Sequence, residues 1–165
     1  MTDEHKPTLV LTMGLPRAGK STWARKQGCP IVNPDSIRMA MHGLAFVKEC
    51  EPYVWAITRT MVRALFIAGH DRVILDATNT SRERRDAWKA ELWNREIRIF
   101  DTDPLLCKKR AVDTEKEFLV PVIDRMHEGW EEVAQDELGW AEKAFVHEEP
   151  PVYEDEQTSG YLDLA

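Results

Sequence analysis

Short apolar runs alternate with longer amphipathic stretches along the chain. Thr8 to Met13 is an apolar, β-rich run that stops at Gly14, which is typical of a buried parallel strand leading into a loop. Similar runs at 31–33, 72–76 and 95–100 predict three more strands. Strands that alternate with helical stretches indicate an α/β fold, with a central parallel sheet and helices on both faces.

A periodic apolar face predicts the longest helix, between Pro52 and Gly69. Shorter helices are expected from Lys20 onward and over 35–42. The second of them should begin after Pro34, since a proline disfavours helix in the residue before it. The apolar positions at helical spacing in the longest helix are Val54, Ile57, Met61, Leu65 and Ala68.

Capping residues mark the starts of three further helices. A capping box that begins at Thr80 predicts a helix running to about Trp93. Asp103, which a proline follows, has the N-cap pattern and predicts a helix over 104–110. Pro121 is expected to open a last helix. Three residues of that helix should face the core: Val122, Met126 and Trp130.

Charge is distributed unevenly between the body of the chain and its end. The chain has 165 residues, enough for one core, so a single domain is expected over 1–147. Residues 148–165 contain a Pro-Pro pair, six acidic residues and no basic ones, which predicts a poorly ordered or loosely docked tail. The net charge of −7 therefore leaves a nearly neutral body, which does not exclude a nucleic-acid partner.

The cysteines and the hydropathy pattern favour a cytoplasmic protein. No apolar run approaches the ~20 residues needed to span a bilayer, so no membrane partner is expected. The cysteines show none of the paired spacings of zinc or redox sites and are expected to be reduced. They are Cys29, Cys50 and Cys107.

The strongest chemical signal lies between the first strand and the first helix. Residues 14–21 read Gly-Leu-Pro-Arg-Ala-Gly-Lys-Ser and fill every fixed position of the Walker A motif, or P-loop, GxxxxGK[ST]. In such a loop, backbone N–H groups turn inward around phosphates and the helix N-terminus adds partial positive charge. The alternative, a chance glycine-rich turn, fits this strand–loop–helix context poorly. The predicted nucleotide-binding residues are Gly14, Leu15, Pro16, Arg17, Ala18, Gly19, Lys20, Ser21 and Thr22.

Side chains around this loop predict ATP and Mg²⁺ as cofactors. Lys20 should reach the phosphates, and the Ser21 hydroxyl should ligate Mg²⁺. Asp76 ends a buried strand, as a Walker-B-like carboxylate does, and would act on Mg²⁺ directly or through a water. A GTPase would need a guanine-reading Asn-Lys-x-Asp stretch, and the sequence contains none.

Four sequence blocks extend the motif into a family pattern. They are GLPRAGKSTWA (14–24), NPDSIR (33–38), DATNTSRERRDAW (76–88) and VPVIDRM (120–126). In this order they resemble the bacteriophage-type polynucleotide 5′-hydroxyl kinases, over the span from Thr8 to Trp130, although the first block alone is shared with other small-molecule kinases. The resemblance implies a P-loop kinase fold that moves the γ-phosphate of ATP to a hydroxyl of a nucleic acid, foremost the 5′ end, without the phosphatase domain frequent in that family. It also implies that the cytoplasm is that of a bacterium or a phage-infected bacterial cell.

The resemblance also implies roles for two residues after the second strand. Asp35 takes the place of the family's general base, which removes the proton of the acceptor hydroxyl. From the sequence alone, Asp35 could instead cap the following helix. Arg38 lies three residues later on the same helical face and could grip an acceptor phosphate. The alternative for Arg38 is a solvated surface arginine.

Further polar residues are candidates for acceptor and phosphate binding. By resemblance Thr78 and Asn79 would contact the acceptor strand, though Asn79 also suits a turn. The family's lid arginines precede Val120, but their spacing is broken here, so Arg110 is the lid candidate and Lys116 its substitute. Two basic clusters could bind phosphate oxygens or form solvated faces: Arg82, Arg84 and Arg85, and Lys108, Lys109 and Arg110.

Three other functions stay open. One is a phage-type kinase that phosphorylates a hydroxymethylated base, such as 5-hydroxymethyluracil, within DNA. Another is a kinase for a small metabolite or nucleoside, which would require a closed acceptor pocket. The third is a module that binds ATP without transferring phosphate, against which the presence of Asp35 argues. The tryptophans fit core packing and none is assigned to binding.

Overall fold

A parallel five-stranded sheet forms the centre of the fold in the computed structural model, which describes residues 5–143, the last six by their backbone alone. The strand order is β2-β3-β1-β4-β5, and every neighbouring pair is parallel. The strands are β1 Thr8–Gly14, β2 Ile31–Val32, β3 Arg72–Leu75, β4 Asn94–Phe100 and β5 Ala141–Lys143. The predicted α/β fold is confirmed, with β5 as a strand that the sequence pattern missed. The predicted acidic tail lies outside the described residues.

Helices cover both faces of this sheet. They are α1 Lys20–Arg25, α2 Pro34–His42, α3 Glu51–Ile67, α4 Arg82–Asp86, α5 Pro104–Asp113 and α6 Val120–Glu128. Leu9 and Leu11 of β1 point to one face and pack with Val54 and Val62 of α3. The residue between them, Val10, points to the other face and packs near Ala24 of α1. None of the helices in the described part of the chain is long and apolar enough to cross a membrane.

The helices α5 and α6 lie on the same face as α1. Phe100 of β4 is in register with Gly14 and shares the sheet face of Val10. It packs in one cluster with Cys107 of α5 and Ile123 of α6. The pattern had predicted Val122, Met126 and Trp130 as the inward side of α6, but Ile123 is its fully buried residue. Sheet alternation therefore separates α3 from α1, α5 and α6.

The inward face of α3 is rotated from the one that the apolar pattern predicted. Ile57 and Met61 are exposed, while Val54, Thr58 and Val62 are buried. A polar residue can occupy this face because the Thr58 hydroxyl donates to the Val54 carbonyl at 2.7 Å. The prediction for Ile57 and Met61 was wrong because apolar identity does not distinguish a buried residue from an exposed one.

The helix predicted from Thr80 to about Trp93 is shorter than expected. Its N-cap is Ser81, whose hydroxyl accepts from the Arg84 amide at 3.3 Å, and α4 ends at Asp86. Trp88 and Trp93 follow as buried residues outside the helix, joined by a 3.0 Å hydrogen bond from the Trp93 indole to the Trp88 carbonyl. The helix ends early because burial of these two indole rings outweighs the helical preference of the segment.

Arg85 does not bind phosphate, because it is a fully buried structural residue. Its Nε and Nη2 donate to the carboxylate of Glu137 at 3.1 and 3.2 Å. The same guanidinium also donates to three backbone carbonyls, those of Asn79, Glu131 and Glu132. Its neighbour Arg82 is paired with Asp86 and Asp136. The first basic cluster of the sequence analysis thus keeps one candidate for binding phosphate oxygens. This is Arg84, which is exposed and has no ion pair in the part of the chain that the structure describes.

Replacing Glu137 by glutamine is expected to lower the free energy of unfolding by about 3–5 kcal/mol, because it leaves the Arg85 charge buried without its counter-ion. Urea unfolding followed by circular dichroism measures the change. The matched control is Asp136→Asn, which removes a neighbouring but exposed carboxylate and should change stability little. Equal effects of the two substitutions would contradict the structural role of the buried pair.

The same pair predicts a pH dependence of stability. Burial alone would raise the pKa of Glu137, but the hydrogen bonds from Arg85 and the Ala134 amide outweigh it and hold that pKa below its usual value. The stabilisation is therefore present above the ordinary glutamate pKa of about 4.3 and is lost as the pH falls through the lower native pKa. Glu137→Gln should remove this part of the acid destabilisation.

Candidate active site

The loop between β1 and α1 depends on glycine at two positions. A Cβ atom on Gly14 would lie 3.0 Å from the Phe100 Cβ and 3.1 Å from the Phe100 carbonyl oxygen, so only glycine lets β1 and β4 approach there. Gly19 has φ 100° and is the N-cap residue of α1. A hydrogen bond from the Ala18 amide to the Leu15 carbonyl, at 3.1 Å, closes the turn between them. The local structure is the strand–loop–helix unit that the motif requires.

Lys20 lies inside this loop and is only 8% exposed. Its Nζ donates to the Leu15 carbonyl at 2.6 Å. Burial lowers the pKa of Lys20, while the nearby carboxylate of Asp76 acts in the opposite direction. The loop therefore holds a poorly solvated cation, which favours an anionic ligand.

Ser21 and Asp76 lie side by side at the ends of α1 and β3. The Ser21 hydroxyl donates to the Asp76 Oδ2 at 2.6 Å. Hydroxyl and carboxylate oxygens are ligands that Mg²⁺ accepts, and Mg²⁺ is usually held by one or two carboxylates together with substrate phosphates. No cluster of three or more His, Cys, Asp or Glu side chains within the described residues could hold a metal ion alone. The donor pair thus fits the predicted Mg²⁺ as a site that nucleotide phosphates complete.

Asn33 joins Asp76 to the start of α2. Its Nδ2 donates to the Asp76 Oδ2 at 3.1 Å, and its Oδ1 accepts from the amides of Asp35 and Ser36 at 2.8 and 3.2 Å. Asn33 is therefore the N-cap of α2, and the alternative that Asp35 caps this helix is wrong. Sequence reasoning missed Asn33, although an asparagine before Pro34 is a recognisable N-cap signal.

Asp35, Arg38 and Glu51 form an ion-paired cluster beside the loop. Arg38 Nη1 lies 2.6 Å from Asp35 Oδ1, while Nε and Nη2 bind the two oxygens of Glu51 at 2.7 and 2.8 Å. The Asp35 side chain is 82% exposed but Arg38 only 13%, so the alternative of a solvated surface arginine is wrong. Hydrogen bonding to Arg38 lowers the pKa of Glu51, and the Asp35 charge is near enough to act on Lys20.

Glu51 was missed by the sequence reasoning. It lies 13 residues beyond Arg38, at the start of α3, and no local pattern connects the two. The bidentate pair orients the guanidinium so that its remaining Nη1 bonds to Asp35. Glu51 therefore holds Arg38 in place while Asp35 faces solvent.

The structure places Thr78 and Asn79 in the turn after β3. The Gly14 amide donates to the Thr78 carbonyl at 2.9 Å, which ties this turn to the loop. Asn79 is buried with φ 45°, and its Nδ2 donates to the Thr12 carbonyl at 2.8 Å. Asn79 thus fills the turn role that the sequence allowed, and Thr78 is the one of the two with a partly exposed side chain.

The structure brings one of the two predicted lid residues to the loop. Arg110 of α5 reaches the loop, where its Nη1 donates to the Arg17 carbonyl at 3.1 Å. Lys116 precedes the 3-10 turn Glu117–Leu119, and within the described residues no hydrogen bond or ion pair joins its ammonium to the loop. Lys108 and Lys109, the other members of that basic cluster, are paired with Asp124 and Asp113.

These groups converge because they follow parallel strands. Gly14 ends β1, Asn33 follows β2 and Asp76 follows β3, at the carboxyl edge of the sheet where open α/β folds bind ligands. The arrangement combines a loop with a buried lysine, a neighbouring hydroxyl and carboxylate of the kind that Mg²⁺ accepts, and an exposed carboxylate held by an arginine. Such a set can bind a nucleoside triphosphate and present a base to a hydroxyl.

Comparisons with known proteins give the family and the fold. Residues 9–132 match the sequence model of the AAA domain. A chain of the Pnkp1/Rnl/Hen1 complex is 28% identical, over 66% of this chain and 40% of that one, with a TM-score of 0.58. A chain of the Pnkp1/Rnl/Hen1 RNA repair complex is 21% identical, over 79% of this chain and 48% of that one, with a TM-score of 0.60. This chain thus spans less than half of those two chains.

A small-molecule kinase has a similar fold. The gluconokinase from Sinorhizobium meliloti 1021 is 17% identical, over 83% of this chain and 81% of the kinase, with a TM-score of 0.57. At such low identity the likeness concerns the fold alone. The predicted P-loop fold of kinases is confirmed by these matches.

Proposed function

The chain belongs to the AAA domain family, and from the groups around its P-loop we propose that it transfers the γ-phosphate of ATP to a hydroxyl of a nucleic acid, foremost the 5′-hydroxyl end. The observation that carries this proposal is the pairing of the exposed Asp35 carboxylate with Arg38, close enough to Lys20 for their charges to interact. A module that only binds ATP has no need of such a carboxylate.

The donor side of the reaction rests on the loop. Lys20 would exchange its bond to the Leu15 carbonyl for phosphate oxygens and stabilise the negative charge on the transferring group. Ser21 and Asp76 would hold Mg²⁺, which when bound would neutralise charge on the nucleotide phosphates. Arg110 lies beside Arg17 of the loop and would add a further positive charge there.

The acceptor side rests on Asp35 and Arg38. Asp35 would accept the proton of the acceptor hydroxyl while the hydroxyl oxygen forms a bond to the γ-phosphorus. The bond between that phosphorus and the oxygen that bridges it to the β-phosphate would break, and ADP would leave. Arg38, oriented by Glu51, would position Asp35 and offer its remaining N–H groups to an acceptor phosphate. Thr78 is the second acceptor residue that we propose.

Two features favour a nucleic-acid acceptor over a small metabolite. Asp35 is open to solvent, so a bulky strand end can approach it without an enclosing pocket. The similar chain at 28% identity comes from the Pnkp1/Rnl/Hen1 complex, whereas the gluconokinase is more distant in sequence. The bacteriophage-type resemblance of the four sequence blocks points to the same acceptor.

An acceptor panel tests the proposal. The protein is incubated with γ-labelled ATP, Mg²⁺ and, separately, three acceptors. They are a single strand with a 5′-hydroxyl, the same strand already 5′-phosphorylated, and an end-blocked duplex that contains 5-hydroxymethyluracil. We expect label in the first acceptor alone, because the second has no free 5′-hydroxyl and the third has no accessible end. Lys20→Ala protein, purified in parallel, controls for contaminating kinases.

Other outcomes identify the rival functions. Label in the hydroxymethyluracil duplex alone would replace the 5′-end proposal by base modification. ATP consumption without label in any of the three acceptors would indicate a small-molecule acceptor. Binding of ATP without turnover would indicate a non-catalytic module.

A further inference from the structure

We propose that the exposed arginines of α3 and α4 form a track for the sugar-phosphate backbone of a single-stranded polynucleotide, leading away from Asp35. The track is defined by Arg59, Arg63 and Arg84. It rests on the proposed function, since its ligand is the strand whose end reaches Asp35. The chemistry is that of a phosphodiester chain, which DNA and RNA share.

Two adjoining grooves run along this surface. One, of about 340 Å³, lies between α3 and the end of α4, with Arg59, Arg84 and Trp88 in its lining. The other, of about 540 Å³, continues along α3 past Arg63. Both are lined by Arg59, and neither is lined by a carboxylate. Together they form a long, open depression whose charged lining residues are all arginines, set between apolar side chains. This lining suits an extended anion rather than a compact metabolite.

The three track arginines differ from other arginines of the chain in their ion pairing. Arg38, Arg72, Arg82, Arg85 and Arg95 all lie within ion-pair distance of carboxylates. No such partner is present for the track arginines in the part of the chain that the structure describes. Arg59 and Arg63 are also four residues apart on one helix, where like charges repel, and no acidic residue lies three or four positions from either. An external anion would supply the counter-charge that Arg59 and Arg63 lack, and it would also attract Arg84, whose charge acts on Glu51 without an ion pair.

Tryptophans hold two of these guanidinium groups in place. Arg84 lies 4.7 Å from the ring centre of Trp55, and Arg59 lies 4.8 Å from that of Trp88 while donating to the Ala87 carbonyl at 2.7 Å. Such contacts hold the planar group and leave in-plane N–H donors for phosphate oxygens. Because the arginines occupy the ring faces, the track should grip the backbone and discriminate little between base sequences.

Trp55 also connects the track to Asp35, the proposed general base. Its ring centre lies 5.9 Å from the Arg38 guanidinium, which is bonded to Asp35. From Trp55 to the groove end at Ile67, α3 rises about 18 Å. A strand with its 5′ end at Asp35 could therefore lay its following phosphates along Arg84, Arg59 and Arg63.

Binding without ATP tests the track directly. Fluorescence anisotropy would follow the full chain binding a 3′-labelled single strand of about 12 nucleotides, as DNA and as RNA, between about 50 and 200 mM salt. The variant is Arg63→Gln/Arg84→Gln, because neither guanidinium donates a hydrogen bond within the described structure. The control is Lys26→Gln/Arg125→Gln, which removes the same charge from exposed residues of the opposite sheet face.

The expected result is specific to phosphate contacts. The track variant should bind about tenfold more weakly, and the slope of log affinity against log salt should become shallower by about 1.4, for two lost contacts on a single strand. The control variant should match the wild type in slope. Thermal unfolding of each variant checks that the fold is intact.

Kinetics separate this proposal from the proposed function. With a 5′-hydroxyl acceptor of about 12 nucleotides, the track variant should raise KM about tenfold and leave kcat unchanged, whereas a dinucleotide acceptor, too short for the track, should show no change in KM. If no acceptor is phosphorylated, the proposed function fails while the binding assay still decides the track.

Several outcomes would overturn the track. They are equal affinity and salt slope in the track and control variants, tighter binding of a duplex than of the single strand, or binding of a polyglutamate peptide in place of the oligonucleotide. The last result would assign the same arginines to an acidic protein segment.

Discussion

Replacing Lys20 by alanine is expected to lower phosphoryl transfer by about 10³-fold or more, because it removes the buried cation aimed at the transferring group. In the structure this ammonium donates to the Leu15 carbonyl and has almost no solvent contact, so it already lies in the poorly solvated interior of the loop. The measurement is kcat/KM for the acceptor that the labelling panel identifies, with saturating ATP and Mg²⁺.

Lys26→Ala is the matched control for this substitution. Lys26 is an exposed lysine at the C-cap of the same helix, so its loss changes the net charge equally but leaves the loop intact. It should keep near wild-type transfer. Near wild-type transfer by a folded Lys20→Ala protein would show that the loop is not the donor site.

The second large effect is expected from Asp35→Asn, which should leave ATP affinity nearly unchanged and lower kcat by about 10²–10⁴-fold. Asparagine has the shape of aspartate but cannot take the proton of the acceptor hydroxyl. The structure sharpens this test, because the N-cap of α2 is Asn33 and Arg38 makes two hydrogen bonds to Glu51 that do not involve Asp35. A loss of transfer is therefore not explained by a lost cap or a released arginine.

ATP affinity by titration calorimetry and single-turnover transfer are the two measurements for this variant. Asp113→Asn is the control, since Asp113 is also an exposed carboxylate in an ion pair on a helix, but lies on α5 away from Asp35. Transfer should be normal in the control. An active Asp35→Asn enzyme would remove Asp35 from the role of general base.

Local features of the sequence were enough to predict most of the elements and the donor loop. The strands β1 to β3 contain short apolar runs, β4 alternates charged residues with isoleucines, and Asp103 caps α5 as its pattern predicted. The fixed positions of the P-loop lie within eight residues, so its identity needs no distant contact. The role predicted for Asp35 came from the family resemblance of the block at 33–38, which is also a local feature of the sequence.

Tertiary structure decided which charged residues are available for chemistry. Arg84 and Arg85 are adjacent and chemically identical, yet one is exposed on a ring of Trp55 and the other is buried against Glu137, 52 residues away. The Arg38 pair with Glu51 and the Asn33 bond to Asp76 likewise join separate elements. Charge in the sequence could not distinguish these cases.

The physical reason is the range over which each property is set. Strand and loop identity depend on backbone preferences and apolar periodicity over a few residues, which the sequence by itself determined for β1, the P-loop and α5. Burial and ion pairing depend on which elements the sheet order β2-β3-β1-β4-β5 brings together. Only the folded chain decided that Arg85 is structural, that Glu51 orients Arg38, and that three arginines of α3 and α4 have no carboxylate within ion-pair distance among the described residues.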